Sequence, residues 1–310
     1  MAITAAMVKE LREMTGAGMM DCKKALNETA GDMEKAVEFL REKGLAAMAK
    51  KANRIAAEGI VATSVCGCGK KASIVEVNSE TDFVAKNAEF QTYVAKVAAQ
   101  ALETEADTLE AFLAETWKED PQYTVEQALS QMIARIGEKL SIRRFQKLEV
   151  ENGVVTSYIH GGGKIGVIVV LETEATGDAV QECGKNVAMQ IAALNAKYVD
   201  RSEVPSDFIE KEKEILMAQI QNDPKESQKP EKVINGMIQG RLNKELKEVC
   251  LVDQVYVKDG DLTIQKYVDS VAKEVGAPIK IKAFVRFETG EGMEKREDDF
   301  AAEVAKQAGL

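Results

Sequence analysis

The sequence predicts an α+β protein: an N-terminal three-helix bundle, a core of two repeated α+β subdomains with antiparallel sheets, a protruding helical hairpin in the second, and a C-terminal helix. Three observations carry this reading. Apolar residues switch between helical spacing and strand-like runs along the chain. A pattern of strand, glycine-rich turn, strand and long amphipathic helix occurs twice, roughly ninety residues apart. Only the second occurrence is interrupted, by two long helical patterns set off by prolines.

Residues 1–56 form the bundle and its tether. The first helix carries Val8, Leu11 and Met14 at helical spacing and stops at Thr15-Gly16-Ala17-Gly18. The second starts near Met19 and carries Met20, Cys22, Ala25 and Leu26. The third follows Gly31, with Asp32 as N-cap, and buries Met33, Ala36, Val37 and Leu40 before Gly44 ends it. From Leu45 to Glu58, a run rich in Ala and Lys reads as a solvated helical tether.

Core subdomain 1 spans 57–150 and core subdomain 2 spans 151–288. Gly59-Ile60-Val61-Ala62-Thr63-Ser64 recurs as Gly153-Val154-Val155-Thr156-Ser157, one residue shorter. With that gap, Ile74-Val75-Glu76-Val77 aligns with Val167-Ile168-Val169-Val170. Each pair of β-branched runs around its glycines is a hairpin. The helices that follow carry Phe90, Tyr93, Val94 and Val97 in one copy and Val187, Ile191 and Leu194 in the other. A closing strand ends each unit, at Ile142 to Phe145 and at Lys280 to Phe287, and helices on one side of each sheet would satisfy the pattern. The insertion, at about 205–249, holds two helices whose Phe208, Ile209, Ile215, Leu216 and Ile220 would face Val233, Ile234, Met237, Ile238 and Leu242. Residues 289–310 form a terminal module whose helix, Asp298 to Gln307, carries Phe300.

With 310 residues, 45% of them apolar, the chain can bury a substantial core, and its formal net charge of -10 argues against nucleic acid as a direct partner. No apolar run approaches a membrane span, and the first residues lack the basic and apolar regions of a signal peptide, so the expectation is a cytoplasmic protein. Five scattered cysteines are expected to be free thiols. Cys66 and Cys68, without a second pair or a nearby His, are too few for a structural zinc site.

Catalytic chemistry finds little support. His160 is the only histidine. Gly161-Gly162-Gly163-Lys164 fails as a phosphate loop, because Tyr158 stands where the first glycine belongs and Ile165 where the Mg²⁺-binding hydroxyl belongs. A hairpin turn explains it better. The segment Asn78 to Asn87 is different: it lies where a strand turns into a helix, with Thr81 or Asp82 as N-cap and Phe83 in the first turn. On pattern alone Phe83 is a staple tucked into its own core. The second copy, Glu172 to Gly177, has no aromatic residue there, so the fold does not require one. Met19 and Met20 follow a glycine turn. Core filling is their simplest role, although adjacent helical side chains do not both point inward.

These residues carry a resemblance. Thr15 to Leu26, Glu76 to Asn87, Ile136-Gly137-Glu138 with Arg143-Arg144, and Arg286-Phe287-Glu288 to Asp299-Phe300-Ala301 closely resemble the elongation factor Ts family, in the same order from end to end. The resemblance implies a UBA-like N-terminal bundle, a coiled-coil hairpin, no cofactor, and exchange of guanine nucleotide on the GTPase elongation factor Tu. It also implies that Thr81, Asp82, Phe83 and Val84 dislodge Mg²⁺ from that partner, while Met19, Met20, Ile136, Gly137, His160 and Phe300 grip it. A homodimer or a two-plus-two complex through the hairpin is compatible with it. A passive binding module using the same apolar spots is the competing reading, and an enzyme whose site is assembled only in space is a third.

Overall fold

The structure, a computed structural model, describes residues 3–15 and 17–294; the predicted terminal helix and Phe300 lie outside the described residues. Helices α1 (Ala5–Thr15), α2 (Met19–Glu28) and α3 (Met33–Lys51) enclose a small core of Leu11, Cys22, Ala25, Leu26 and Ala36. Asp32 caps α3 by accepting from the Lys35 N–H at 3.1 Å.

Subdomain 1 follows as β1 (Glu58–Val65), β2 (Lys71–Ser79), the single turn α4 (Asp82–Ala85), α5 (Ala88–Glu103), α6 (Leu109–Ala114), α7 (Val125–Ile136) and β3 (Leu140–Glu149). Its antiparallel sheet has the order β1-β2-β3. The expected stop of α3 at Gly44 is wrong, because the helix runs on to Lys51 and Gly44 is buried inside it. A Cβ at Gly44 would sit 3.4 Å from Ser130 Oγ, so this glycine lets α3 approach α7 closely instead of ending the helix. The expected tether is helical as far as Lys51, with Leu45, Ala46, Ala49 and Lys50 exposed and Ala47, Met48 and Lys51 half-buried.

Subdomain 2 repeats the plan with β4 (Gly153–His160), β5 (Ile165–Glu172) and α8 (Asp178–Leu194). Then come α9 (Ser206–Asn222), α10 (Glu231–Val249), the short strands β6 (Val255–Tyr256) and β7 (Asp259–Thr263), α11 (Ile264–Val275) and β8 (Lys280–Glu288). The main sheet has the order β4-β5-β8. Gly59 pairs with Asn78 and Gly153 with Glu172, so the two hairpins correspond without the gap expected from sequence, and Glu76 matches Val170. Both sheets carry a register shift at that same place, Glu76/Val77 and Val170/Leu171. The central strands β2 and β5 are buried on both faces, so adjacent positions are alike in residue type and the gapped alignment could slip by one residue, which the turn and the pairing do not allow.

Helices cover only one face of each sheet. Val75 and Val77 point toward Phe90, Val94 and Ile133, while Val167, Val169 and Leu171 point toward Val187, Ile191 and Val268. The alternate residues, Ala72 and Ile74 with Ile168 and Val170, meet in a third core that joins the sheets through Val61, Val155 and Phe287. Both central strands are thus buried on both faces, and their nearly continuous apolar runs carried that signal.

Helices α9 and α10 pack through Leu216, Ile220, Ile238, Leu242 and Leu246. Ile215 and Val233, expected to face one another inside this pair, are exposed. Consecutive helical side chains diverge by roughly 100°, so burying Leu216 turns Ile215 outward. The expectation of free thiols also fails at one place. Cys66 and Cys68 form a disulfide across the β1–β2 turn, while Cys22, Cys183 and Cys250 are free and buried. The Gly69 N–H donates to the Cys66 carbonyl at 2.9 Å, and this tight turn brings the two cysteine Cα atoms to 5.2 Å.

Candidate site at the α4 turn

β2 ends at Ser79, and three residues later the chain is helical. Thr81 makes that change possible: its backbone is extended and its hydroxyl accepts from the Val84 N–H at 3.4 Å. Val84 and Ala85 dip into the subdomain 1 core and anchor the turn. With those two inward, Phe83 must face out. Its ring is 80% exposed, so the expectation of a staple within its own core is overturned.

Hydrogen bonds hold this turn on both sides. Glu138 grips Thr81 twice, accepting from its N–H at 3.1 Å and its hydroxyl at 2.7 Å. The Ser79 hydroxyl donates to the Thr81 carbonyl at 2.9 Å. Glu80 accepts from the Lys139 N–H at 2.5 Å and from Arg54 at 3.2 Å. Asp82 pairs with Lys86 at 2.6 Å. That bond holds its carboxyl below the ordinary range, and the field of Lys164 adds to the effect.

Of the other predicted residues, Ile136 and Gly137 come just before the residues that hold this turn, and Phe300 lies outside the described residues. Gly137 closes α7 with φ of 84°, a left-handed conformation that glycine adopts freely, and it delivers Glu138 and Lys139 to the α4 turn. Ile136 is half-buried against the subdomain 1 core, and Gly137 is exposed. His160 is exposed at the end of β4, with Nδ1 3.0 Å from the Tyr158 hydroxyl. The loop after it is docked on subdomain 1: the Val61 N–H donates to the Gly163 carbonyl at 2.7 Å. This docking brings Lys164 within the field of Asp82. From the other side, Arg135 donates to the Thr15 carbonyl at 3.2 Å and pairs with Glu89 at 2.8 Å, tying the α1–α2 turn to the ends of α5 and α7. Met19 and Met20 lie just beyond that turn, 59% and 76% exposed, which overturns core filling as their role.

Sequence reasoning missed Glu138 as the residue that fixes Thr81, and the exposure of Met14, which stands 58% exposed at the end of α1. A carboxylate just after a helix-ending glycine has no local partner in sequence, and that was the available signal. Among the described residues, no group of three or more His, Cys, Asp or Glu side chains is placed to hold a metal, and no helix is long and apolar enough to cross a membrane. Exposed apolar side chains on pinned backbone suit capture of a protein surface better than bond making.

Comparison with known proteins fits this picture. A family model described as Elongation factor TS matches residues 80–291. Elongation factor Ts of Clostridium tetani is 55% identical over 305 residues, covering 98% of this chain and 99% of that protein. Elongation factor Ts of Clostridium perfringens strain SM101 is 56% identical over 307 residues, 99% of each chain. That of Clostridioides difficile strain 630 is 56% identical over 305 residues, 98% of each.

Proposed function

This chain belongs to the elongation factor Ts family, and from that premise we propose that it works in the cytoplasm as the guanine nucleotide exchange factor of elongation factor Tu, expelling Mg²⁺ and GDP by inserting Phe83. The observation that carries this is an aromatic ring 80% exposed on a turn whose backbone is fixed by Glu138, Ser79 and Glu80. A wedge must be both presented and stiff, since a mobile side chain loses contact energy to ordering when it binds.

The physics is linkage. Mg²⁺ requires near-ideal octahedral geometry between phosphate oxygens and protein oxygens, so a small displacement of its ligands weakens nucleotide binding strongly. A ring that fits only the displaced state of the GTPase draws the population there. Reciprocity then requires nucleotide to weaken the grip of the exchange factor by the same factor, so incoming GTP ejects it. No covalent chemistry is asked of this chain. Thr81, Asp82 and Val84 hold the wedge, while Met19, Met20, Ile136, Gly137, His160 and Phe300 grip the partner. The divisions 1–56, 57–150, 151–288 and 289–310 are the modules of this reading, with a UBA-like bundle first and α9–α10 as a coiled-coil hairpin.

Release of fluorescent GDP from elongation factor Tu tests the proposal. Substoichiometric wild-type protein is expected to accelerate release, and Phe83→Ala to slow that acceleration by roughly tenfold or more, the scale of an interface hot spot. The variant's melting temperature should match the wild type, because an exposed ring contributes little to the fold. Release at the wild-type rate would remove Phe83 from this role, and binding without acceleration would favour a passive binding module.

A further inference from the structure

We propose that Cys66 and Cys68 form a thiol–disulfide exchange site at the β1–β2 turn, opened in the folded chain by thiolate reductants of the low-molecular-weight class and closed again by the reverse exchange, in which the disulfide of that reductant is the oxidant. The argument starts from what this disulfide does not do. Its loop encloses one residue, Gly67, so it restricts the unfolded chain less than any longer loop would. The turn holds without it: the Gly69 carbonyl accepts from the Val155 N–H at 2.7 Å, Lys70 Nζ donates to the Glu151 carbonyl at 2.7 Å, and the Lys70 carbonyl accepts from the Val150 N–H at 2.9 Å. None of these bonds involves sulfur, so opening the disulfide leaves the hairpin seated between the two subdomains.

The two sulfurs differ. Cys68 is exposed, whereas Cys66 is half-buried. The backbone N–H groups of Lys70 and Lys71 both donate to Cys66 Sγ, each at 3.3 Å. Two N–H donors on one sulfur favour its thiolate over its thiol. A sulfur with a stabilised thiolate is the better leaving group, and the accessible sulfur is the one an incoming thiolate reaches. The geometry therefore orders the reaction. A reductant thiolate attacks Cys68 Sγ, the Cys66–Cys68 bond breaks, and its electron pair goes to Cys66, held as thiolate by Lys70 and Lys71. A second reductant thiolate then attacks the reductant sulfur of the mixed disulfide, releasing Cys68 as thiolate, which takes up a proton. Overall, two thiols become one disulfide, and the protein disulfide gains two electrons and becomes a dithiol. In a cytoplasmic protein, such a bond is expected to be transient and reactive instead of a permanent staple.

Mapping the first intermediate in the full chain tests this. The oxidised protein is exposed to reduced glutathione under native conditions, quenched with acid, alkylated and digested. Glutathione is expected on Cys68 with Cys66 alkylated; glutathione predominantly on Cys66 would overturn the proposal. So would a disulfide that opens only in denaturant. In the fully reduced protein, iodoacetamide at pH 7 should modify Cys66 at least severalfold faster than Cys68, because the thiolate is the nucleophile and the Lys70 and Lys71 N–H groups favour it at Cys66. Equal rates would sink the idea. Buried Cys22, Cys183 and Cys250 serve as an internal control, since their protection from alkylation reports that the chain stayed folded.

Discussion

At the residue scale, the contrast between Phe83 and Glu76 shows how burial and function divide. Phe83 is a large apolar side chain that the fold leaves outside, and Glu76 is a charged side chain that it buries completely. Glu76 is tolerated because every approach to it is a donor: Arg144 Nε at 2.6 Å, the Gly290 N–H at 2.8 Å, Arg143 at 3.0 Å and Asn78 at 3.0 Å. Burial pushes its carboxyl pKa up, but these donors outweigh burial and hold it below the ordinary range. A depressed carboxyl contributes stability that is fully present above its unfolded value, about 4.3, and is lost as pH falls through the folded one. Glu76→Gln is therefore expected to cost about 2–4 kcal/mol near neutrality, the scale of breaking a buried charged network. The difference in melting temperature between wild type and variant should shrink as pH is lowered from 6 toward 3. A difference independent of pH would show that the charge is not what matters.

At the element scale, both hairpins carry a glycine at the start of their first strand, Gly59 second in β1 and Gly153 first in β4, for one reason. Gly59 has φ of 126° and Gly153 of 143°, and a Cβ would lie 2.2 Å from the Val77 carbonyl oxygen in one case and 2.0 Å from that of Leu171 in the other. Real side-chain atoms do not approach that closely. Gly59→Ala and Gly153→Ala are each expected to destabilise by roughly 2–4 kcal/mol, read by denaturant unfolding, since strain and backbone displacement add. A variant within experimental error of wild type would mean that the strand starts shift freely. For the α9–α10 pair, Ile215 and Val233 are exposed, and we propose them as the contact of a homodimer or two-plus-two complex. Ile215→Lys is expected to halve the sedimenting mass of such a complex with elongation factor Tu while preserving nucleotide exchange. An unchanged mass would place the contact elsewhere. Repeat, hairpins, closing strands and capping residues were all legible in the sequence, because they rest on local periodicity and turn chemistry. The length of α3 was not, since a glycine in a helix reads the same whether it ends the helix or admits a neighbour.

At the scale of the whole molecule, the third core decides how the α4 turn meets its surroundings. Ile74, Val155, Ile168 and Val170 weld the two sheets together, and the loop after His160 thereby reaches across β1 toward Asp82. Truncating fully buried Ile168 to Ala is expected to cost about 2–5 kcal/mol. It should also slow GDP release from elongation factor Tu, although residue 168 lies in the sheet-to-sheet core and not at the α4 turn. Loss of stability with undiminished exchange would show that Phe83 works without that support.

The sequence by itself determined the repeat, its hairpins and main helices, and the family, and it drew attention to Thr81-Asp82-Phe83, because these are written in short windows of spacing and residue type. Only the tertiary structure decided that Phe83, Met19 and Met20 face outward, that Glu138 pins the turn, and that two sheets share a core. Each of those depends on which surfaces meet across distant stretches of chain, and a side chain's direction is fixed by the neighbours that bury the residues beside it.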